Sequence, residues 1–517
     1  MSIATQRPIV GNDWSELVPD ADSSWTPTRR VSICIPTRNP GPGLGRTLRC
    51  LGAQTYPSDL IEIVVADDGS DAPIVLAEDL AHPVRVVRQD RTLDFGAGRA
   101  RNLAATAAEG DILFFLDADV IPDRQVVESY ARWFEHCELA VPMGLCRFVD
   151  VDDLDEAQLV ELVASASMER RFEGCDVDDQ SWRERNFERL DDLRIESLDA
   201  FRVTIGATIA VSAAQFHAVG GFPELGVRGV EDTAFGYRVH NNGGVLILDR
   251  DAIHWHQGRR NLSMGRRQQI DQIRAPYVQS VIPVRGFRRG EPPIDPPVEP
   301  SPVLRIHVHG DRAEATRRSV AADPTANIAL TDRSTSAAEA ASRYDDAFAQ
   351  VDLPAGVLWS PSARQQVIDL FASKGVGVVR AAYQGDSGDG AVISFSRTRA
   401  LRRAAQLRPD DDPIATASEL FGVWWLDAET LGFVGAAASS STVENAEAAP
   451  SEHSPGTIEN VEMAAVGVVP GDAEPATGDL SVLSRARKRV RTSARRRRRP
   501  GLWLYKRMRA VLRWAAR

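Results

Sequence analysis

Short apolar runs that stop at acidic or polar residues recur along the first quarter of this chain. Each run is too short for a helix, and helix-like segments such as 44–54 and 97–108 lie between them. Strands that alternate with helices predict an α/β fold, with a mostly parallel sheet and helices on both faces. Ligands of such sheets bind at the carboxyl ends of the strands, so the residues after each run are candidate site residues. The runs are 31–36, 61–66, 84–87 and 112–116.

Changes in composition predict six segments. Six prolines within 292–302 are incompatible with a helix or a central strand and indicate a stiff, extended linker. Residues 437–480 are rich in Ala, Ser, Glu, Pro and Gly and almost free of aromatic residues, which predicts disorder. The segments are a flexible lead-in (1–28), a first α/β domain (29–290), the proline-rich linker (291–302), a second, smaller α/β domain (303–436), a disordered linker (437–480) and a basic amphipathic tail (481–517).

Two stretches of the first domain have weak counterparts in the second. Gly206–Ser212 is similar to Gly390–Ser396, and Leu116–Pro122 is similar to the stretch that begins at Val351. We therefore hypothesise that the second domain is a degenerate copy of the first, with its elements in the same order. Chance similarity between two α/β domains is the alternative.

Charge is unevenly distributed along the chain. The 61 basic and 72 acidic residues give a formal net charge of −11, yet residues 481–517 contain 15 basic residues and no acidic one. After Gly501 the apolar and basic residues fall on opposite faces of a helix, a pattern typical of an anchor on an anionic membrane surface. Nucleic-acid binding is the alternative. The segregated faces favour the membrane, so no nucleic-acid partner is expected.

The sequence predicts neither a secretory signal nor a spanning helix. Its first residues lack a basic stretch followed by an apolar core, and no run of 18 apolar residues occurs. The five cysteines lack the spacing of a zinc site or a disulfide framework and are interpreted as reduced thiols. Together with the tail, these features predict a cytoplasmic protein that associates peripherally with the inner face of the cell membrane.

Asp117 and Asp119 come directly after the apolar run 112–116. In extended backbone, residues i and i+2 point to the same side, so both carboxylates can face one cation. Adjacent carboxylates are unfavourable without a compensating charge, and hard oxygen ligands suit Mn²⁺ or Mg²⁺ better than zinc. The alternative is a solvated turn, because aspartate is common after strands. The sequence thus predicts a divalent-metal site.

Several motifs occur in a fixed order between Val31 and about His256. They are Val31–Asn39, Asp67–Ser70, Gly98–Asn102, Asp117–Asp119, Gly220–Phe222 and Glu231–Asp232. Together they resemble family 2 glycosyltransferases of the GT-A fold, the nucleotide-diphospho-sugar transferases. The stretch 220–238 looks like the acceptor region of galactosyl- and chondroitin-type transferases.

The resemblance implies a role for each motif. Asp68 would read the base of a nucleotide-diphosphate sugar, and Arg99 or Arg101 would approach its phosphates. A histidine would complete the metal shell, and both candidates lie on one side of a presumed strand. The implied residues are, for the donor, Pro36, Thr37, Arg38, Asp68, Arg99, Arg101 and Asp117; for the metal, Asp117, Asp119, His254 and His256; and for catalysis, Asp232 as general base and Glu231.

A single carboxylate base without a protein nucleophile implies one displacement, and therefore inversion at the sugar. The expected acceptor is a hydroxyl of a glycan, a glycolipid or another lipid-linked envelope saccharide. The rival enzyme class is a nucleotidyltransferase, which also uses carboxylate-held metal. The rival class without activity is a scaffold or nucleic-acid-binding protein that acts through its basic tail.

Overall fold

The computed structural model describes residues 9–17, 25–90, 96–178, 180–224, 230–259, 281–283, 302–311, 313–323, 328–331, 347–384 and 390–436. The predicted disordered linker, the basic tail and nearly all of the proline-rich linker lie outside these residues. The described ranges belong to one compact unit. None of their helices is long and apolar enough to cross a membrane.

In the described part of the chain, eight strands build a first sheet, and four of them are the runs predicted from the sequence. They are β1 (Val31–Thr37), β2 (Ile61–Asp67), β3 (Val84–Arg88), β4 (Ile112–Leu116), β5 (Val120–Pro122), β6 (Ala140–Val149), β7 (Thr208–Ser212) and β8 (Val245–Gln257). Their order is β3-β2-β1-β4-β7-β6-β8-β5, and four of the seven neighbouring pairs are parallel. The predicted mostly parallel sheet is confirmed.

Helices cover both faces of this sheet because its central strands are apolar on both sides. Ile33 and Ile35 belong to a core that includes Leu44 and Tyr130 from two helices on one face. Cys34 belongs to a second core, with Ala104 from a helix on the other face. The helices are α1 (Pro42–Leu51), α2 (Ala97–Ala107), α3 (Val126–His136), α4 (Glu156–Ala164), α5 (Met168–Arg171), α6 (Ser181–Arg189), α7 (Ala213–Ala218) and α8 (Glu231–Asn241), with 3₁₀ turns at Ser15–Leu17, Ser58–Leu60 and Ala200–Val203.

The second domain is also α/β. Its strands are β9 (Leu304–His309), β10 (Ile328–Thr331), β11 (Ala349–Pro354), β12 (Val357–Leu358), β13 (Val378–Gln384), β14 (Gly390–Arg397), β15 (Val423–Asp427) and β16 (Val434–Gly435). Its helices are α9 (Glu314–Ala321), α10 (Pro361–Lys374), α11 (Thr398–Leu407) and α12 (Pro413–Phe421), with a 3₁₀ turn at Ala428–Leu431. Six strands form one sheet in the order β10-β9-β11-β14-β13-β15, and β12 pairs with β16.

The second sheet repeats the topology of six strands of the first. The first sheet contains β2-β1-β4-β7-β6-β8, and in both sheets the successive pairs are parallel, parallel, antiparallel, antiparallel and parallel. The chain visits the corresponding strands in the same order. The two similar stretches, 206–212 and 390–396, contain the corresponding strands β7 and β14. This topology is what the duplication hypothesis requires.

Candidate functional site

The loops that follow β1 and β2 are joined at the carboxyl edge of the first sheet. The Asn39 amide donates to the Ser70 hydroxyl at 2.7 Å, and the Asp71 amide donates to the Asn39 side-chain oxygen at 2.9 Å. Asn39 has a φ of 47°, a left-handed conformation that asparagine tolerates better than most residues. Arg38 donates to the Gly69 carbonyl at 3.3 Å. These contacts shape one end of a cavity.

Asp68 is buried at the next strand end and organises the backbone around it. Its carboxylate accepts hydrogen bonds from the Gln89 side chain at 2.9 Å and from the Gly96 amide at 2.8 Å. Gly96 directly precedes α2, and a carboxylate near a helix N-terminus is favoured by the helix dipole. Asp68 therefore fixes the start of the helix that carries Arg99 and Arg101.

The predicted metal residues lie where β4 ends and β8 passes. His256 Nε2 is 3.6 Å from Asp119 Oδ2, and the His256 ring stacks on Phe148 with 4.4 Å between ring centroids. The Asp119 side chain is 51% exposed, so it remains accessible to a ligand. Asp119 and His256 thus form the accessible pair at this strand end.

His254 lies in a different environment from His256. Its ring is fully buried beside Phe114 and Tyr130, and Nδ1 is 3.3 Å from the Leu145 carbonyl oxygen. Burial lowers the pKa of His254 to about 3. The sequence left the choice between the two histidines open. The structure places His254 in the aromatic core and His256 beside Asp119, so His256 is the histidine that could bind a cation together with Asp119.

Arg101 connects the end of β4 with the start of α8. Its guanidinium is 2.7 Å from Asp117 Oδ1 and 3.6 Å from Glu231 Oε1, and the side chain is 4% exposed. It also packs over the Phe222 ring at 5.3 Å. A Cβ at Gly206 would lie 2.5 Å from the Arg101 guanidinium carbon, which explains the glycine there. Arg101 therefore neutralises carboxylates from two distant parts of the chain.

The candidate base stands beside this ion group. Asp232 is partly buried at the first turn of α8, and one of its oxygens accepts the Thr233 amide at 2.7 Å. Burial and the neighbouring Glu231 carboxylate raise the pKa of Asp232 to about 6, and Arg101 and the Thr233 amide oppose this shift. Asp117 is close enough to contribute to the same shift. The structure thus brings Asp117 and Asp232 into one electrostatic group.

A cavity of about 640 Å³ opens over these strand ends. Its wall includes six of the residues implied for the donor and the metal, but neither Arg99 nor Arg101 is part of it. Arg99 instead donates to the Asp90 carbonyl at 3.1 Å. The six are Pro36, Thr37, Arg38, Asp68, Asp117 and Asp119.

Polar side chains in this wall that the sequence analysis did not assign to the site include Arg46, Asp152 and Gln257. Arg46 lies on α1, whose first turn also contributes Pro42 and Gly43 to the cavity. The first turn of a helix attracts anions, so the start of α1 contributes positive partial charge to the wall. Arg46 is 3.6 Å from Asp152, a carboxylate of the same wall. Gln257 donates to the Gly43 carbonyl at 3.1 Å and tethers that turn. The signal for Arg46 was its spacing of three residues from Gly43, which puts both on one helix face.

The described side chains at this strand end fit a divalent cation as part of a larger coordination shell. Within the described ranges, no three His, Cys, Asp or Glu side chains are grouped closely enough to hold a metal ion. Asp119 and His256 supply one oxygen and one nitrogen donor, a set that Mn²⁺ accepts. Asp117 is engaged by Arg101. Oxygens of a bound diphosphate and water would have to complete the shell.

The predicted fold class, a mostly parallel α/β sheet with helices on both faces and a second α/β domain, is confirmed. Residues 32–203 match the family model described as Glycosyl transferase family 2. The predicted resemblance of this part of the chain to that family is thereby confirmed.

Two curated relatives match less than half of the chain. Chondroitin synthase of Escherichia coli is 28% identical over 238 residues, covering 44% of this chain and 34% of the relative. Validoxylamine A glucosyltransferase of Streptomyces hygroscopicus subsp. jinggangensis is 30% identical over 233 residues, covering 43% and 54%. The chain therefore spans about a third and about half of the lengths of these relatives.

Among solved structures, a mannosyltransferase from Pyrobaculum calidifontis in complex with GDP-Man and Mn²⁺ aligns at 18% identity with a TM-score of 0.34. That alignment covers 51% of this chain and 66% of the mannosyltransferase.

Replacing Arg101 with Met should lower the free energy of unfolding by about 3–5 kcal/mol, because it leaves the buried Glu231 and the half-buried Asp117 without their cation. Arg38→Met is the matched control. Arg38 is 34% exposed and its ion pair with Asp71 is long, at 3.9 Å, so its loss should cost less than about 1 kcal/mol. Chemical denaturation of the full chain measures both values. Equal losses in the two variants would show that Arg101 does not hold the ion group together.

Proposed function

We propose that this chain is an inverting, divalent-metal-dependent glycosyltransferase that moves a sugar from a nucleotide diphosphate to a hydroxyl acceptor. One observation carries the proposal. The cavity wall holds Asp119, with His256 beside it, and Arg101 links Asp117 of that wall to Glu231, the neighbour of Asp232. A donor site and a carboxylate base are thereby adjacent.

The donor is proposed to occupy the cavity with its diphosphate toward Asp119. Arg38, Arg46 and the first turn of α1 supply positive charge to the wall. Asp119 and His256 would hold Mn²⁺ or Mg²⁺, which offsets the growing negative charge of the leaving diphosphate. Asp68 and the backbone at Pro36 and Thr37 would surround the nucleobase of the donor. Arg101 balances the carboxylates from behind the wall instead of contacting phosphate.

Asp232 is proposed to take the proton of the acceptor hydroxyl as the new bond forms. A base is effective when its pKa lies near the operating pH, and the raised pKa of Asp232 meets that condition. Glu231 is held by Arg101 and helps to place the acceptor. One base with no protein nucleophile gives one displacement and inverts the anomeric centre. The similarity to a chondroitin synthase supports a saccharide as the acceptor.

A panel of UDP-, GDP- and dTDP-sugars tests this proposal directly. We expect one of them to bind the full chain in the presence of Mn²⁺ and to lose affinity when EDTA removes the metal. Binding is measured by titration calorimetry and transfer by release of the nucleoside diphosphate with a mixture of saccharide acceptors. Metal-independent binding, or no binding by any member of the panel, contradicts the proposal.

The variant Asp232→Asn assigns the base. Transfer should fall by about 10²–10⁴-fold because a general base contributes that much, whereas donor affinity should stay nearly constant. Asp79→Asn is the matched control. The Asp79 carboxylate accepts hydrogen bonds from Arg49 on α1 and has no part in the proposed mechanism, so transfer should stay normal. Transfer at the normal rate by Asp232→Asn would remove Asp232 from the mechanism.

The pH dependence of kcat/KM should report the same residue. A base works when deprotonated, so activity should be present above about pH 6 and decrease as the pH falls through that value. In Glu231→Gln the neighbouring negative charge is lost and the pKa of Asp232 decreases. The acidic limb of the profile should therefore move to lower pH, as measured by initial rates across a buffer series. An unmoved limb would mean that another group titrates.

The basic tail is proposed to attach the enzyme to the inner face of the cell membrane, in the cytoplasm. This proposal rests on the segregated apolar and basic residues of 481–517, and each basic residue near an anionic surface contributes about 1 kcal/mol.

A chain that ends at Leu480 should therefore lose its binding to phosphatidylserine-containing vesicles and retain Mn²⁺-dependent donor binding. Vesicle sedimentation with the full chain and the shortened chain measures the difference. Equal sedimentation of the two chains would count against the anchor, and full-chain binding to DNA in preference to vesicles would favour the nucleic-acid alternative.

A further inference from the structure

The C-terminal end of α8 is held by side chains of α11, a helix of the second domain. We call α8 (Glu231–Asn241) the base helix, because it carries Asp232, and α11 (Thr398–Leu407) the clamp helix. Three side chains of the clamp helix, at spacings of four and three residues, lie on one of its faces. They are Arg399, Arg403 and Gln406.

These side chains bind carbonyl groups at the end of the base helix and in the turn after it. Arg399 Nη1 donates to the His240 and Gly244 carbonyls, both at 2.7 Å. Arg403 Nε donates to the Gly243 carbonyl at 2.7 Å, and Gln406 donates to the Asn242 carbonyl at 2.8 Å.

The last carbonyls of a helix lack partners within that helix and carry partial negative charge. The clamp helix therefore supplies donors to that end.

Both arginines are almost fully removed from water, with 1% exposure for Arg399 and 0% for Arg403. Burial and the nearby Arg399 charge lower the pKa of Arg403 to about 9. Glu196 is the carboxylate of this group, 3.2 Å from Arg399 and 2.8 Å from Arg397, and these cations hold its pKa far below the usual value. Buried charges of this kind are costly unless their geometry is maintained. The positions of these buried side chains relative to their partners are therefore tightly constrained.

The two helices also approach closely through Gly243. Its φ is +91°, and a Cβ there would lie 3.0 Å from the Arg403 backbone nitrogen. A side chain at this position would push the clamp helix away from the turn. The other end of the base helix is fixed by Arg101, which holds Glu231. The base helix is therefore held at both ends, by two different domains.

We propose that Arg399, Arg403 and Gln406 are positioning residues for Asp232, so that the second domain acts on the rate of transfer through the base helix. This inference rests on the proposed function. The base helix has eleven residues and is about 16 Å long, so a shift of its clamped end tilts the carboxylate at the other end. A misplacement of about 1 Å is enough to cost about 10²-fold in rate.

Three substitutions in the full chain test the proposal: Arg399→Met, Arg403→Met and Gln406→Leu. Each should lower kcat for transfer, the arginine variants by about 10–100-fold, because they remove contacts that orient the base helix. Affinity for the nucleoside diphosphate product, with Mn²⁺, should change by less than about twofold, since these residues lie away from the donor cavity. Hydrogen exchange of amides 234–241 should accelerate in the same variants.

Arg408→Met is the matched control. This arginine directly follows the clamp helix but bonds Glu419 of α12 at 2.6 Å, and it should leave kcat and amide exchange unchanged. If a variant were merely destabilised, the fraction of protein that binds nucleotide would fall in the same proportion as kcat. If Asp232 is mispositioned, kcat falls while all of the protein still binds nucleotide. If the arginine variants do not melt cooperatively, Gln406→Leu decides, because it removes a neutral hydrogen-bonding group and no charge.

The outcomes separate this inference from the proposed function. If the unaltered chain transfers no sugar from any donor, the proposed function fails, and the exchange measurement still tests whether the clamp helix restrains the base helix. If the unaltered chain is active and all three variants keep its kcat, the positioning role is wrong even if their amides exchange faster. A fall in kcat matched by an equal loss of binding sites would also overturn it.

Discussion

The buried guanidinium of Arg101 is the interaction on which the site depends. Asp117, Glu231 and Asp232 would repel one another if they were brought together without a cation, and in a water-poor environment the repulsion would be strong. Arg101 makes their approach possible because it lies between the end of β4 and the start of α8. Its own position follows from Asp68, which binds the amide that opens α2. Asp68, which lines the cavity, therefore also positions the cation that holds Asp117 and Glu231 together.

The two sheets share a topology but differ in the side chains at their strand ends. The two sequences can be aligned so that Val120 of β5 matches Val357 of β12. Asp117 and Asp119 then correspond to Pro354 and Gly356, which cannot bind a metal through side chains. The base helix begins with Glu231 and Asp232, and its counterpart α12 begins with Pro413 and Ile414. The described part of the second domain thus retains the sheet and lacks the carboxylates at both places where the first domain is proposed to use them.

Sequence reasoning located the strands well because burial on both faces leaves an uninterrupted apolar run. The run 112–116 matches β4 at both ends, and the other three runs end one residue early. The histidines show where such reasoning stops. His254 and His256 lie on the same face of their strand, but the burial of each depends on neighbours from other elements. Tyr130 packs beside His254, and Phe148 stacks on His256. Local pattern does not contain that information.

The largest differences between what the sequence predicts and what the structure shows concern arginine side chains, for a physical reason. A segment such as Thr398–Leu407, with three arginines, resembles a solvated surface helix, since arginine is almost never fully buried without a partner. Here Arg403 binds backbone carbonyls, and Arg399 binds two backbone carbonyls in addition to the side chains of Glu196 and Asn12. Every residue has a carbonyl, so no sequence motif reveals such partners. The partners of Arg101 are carboxylates, but they lie 16 and 130 residues further along the chain, so local sequence does not reveal them either. In the proposed positioning role, a domain that lacks these carboxylates acts on Asp232 because it binds the end of the helix that carries Asp232.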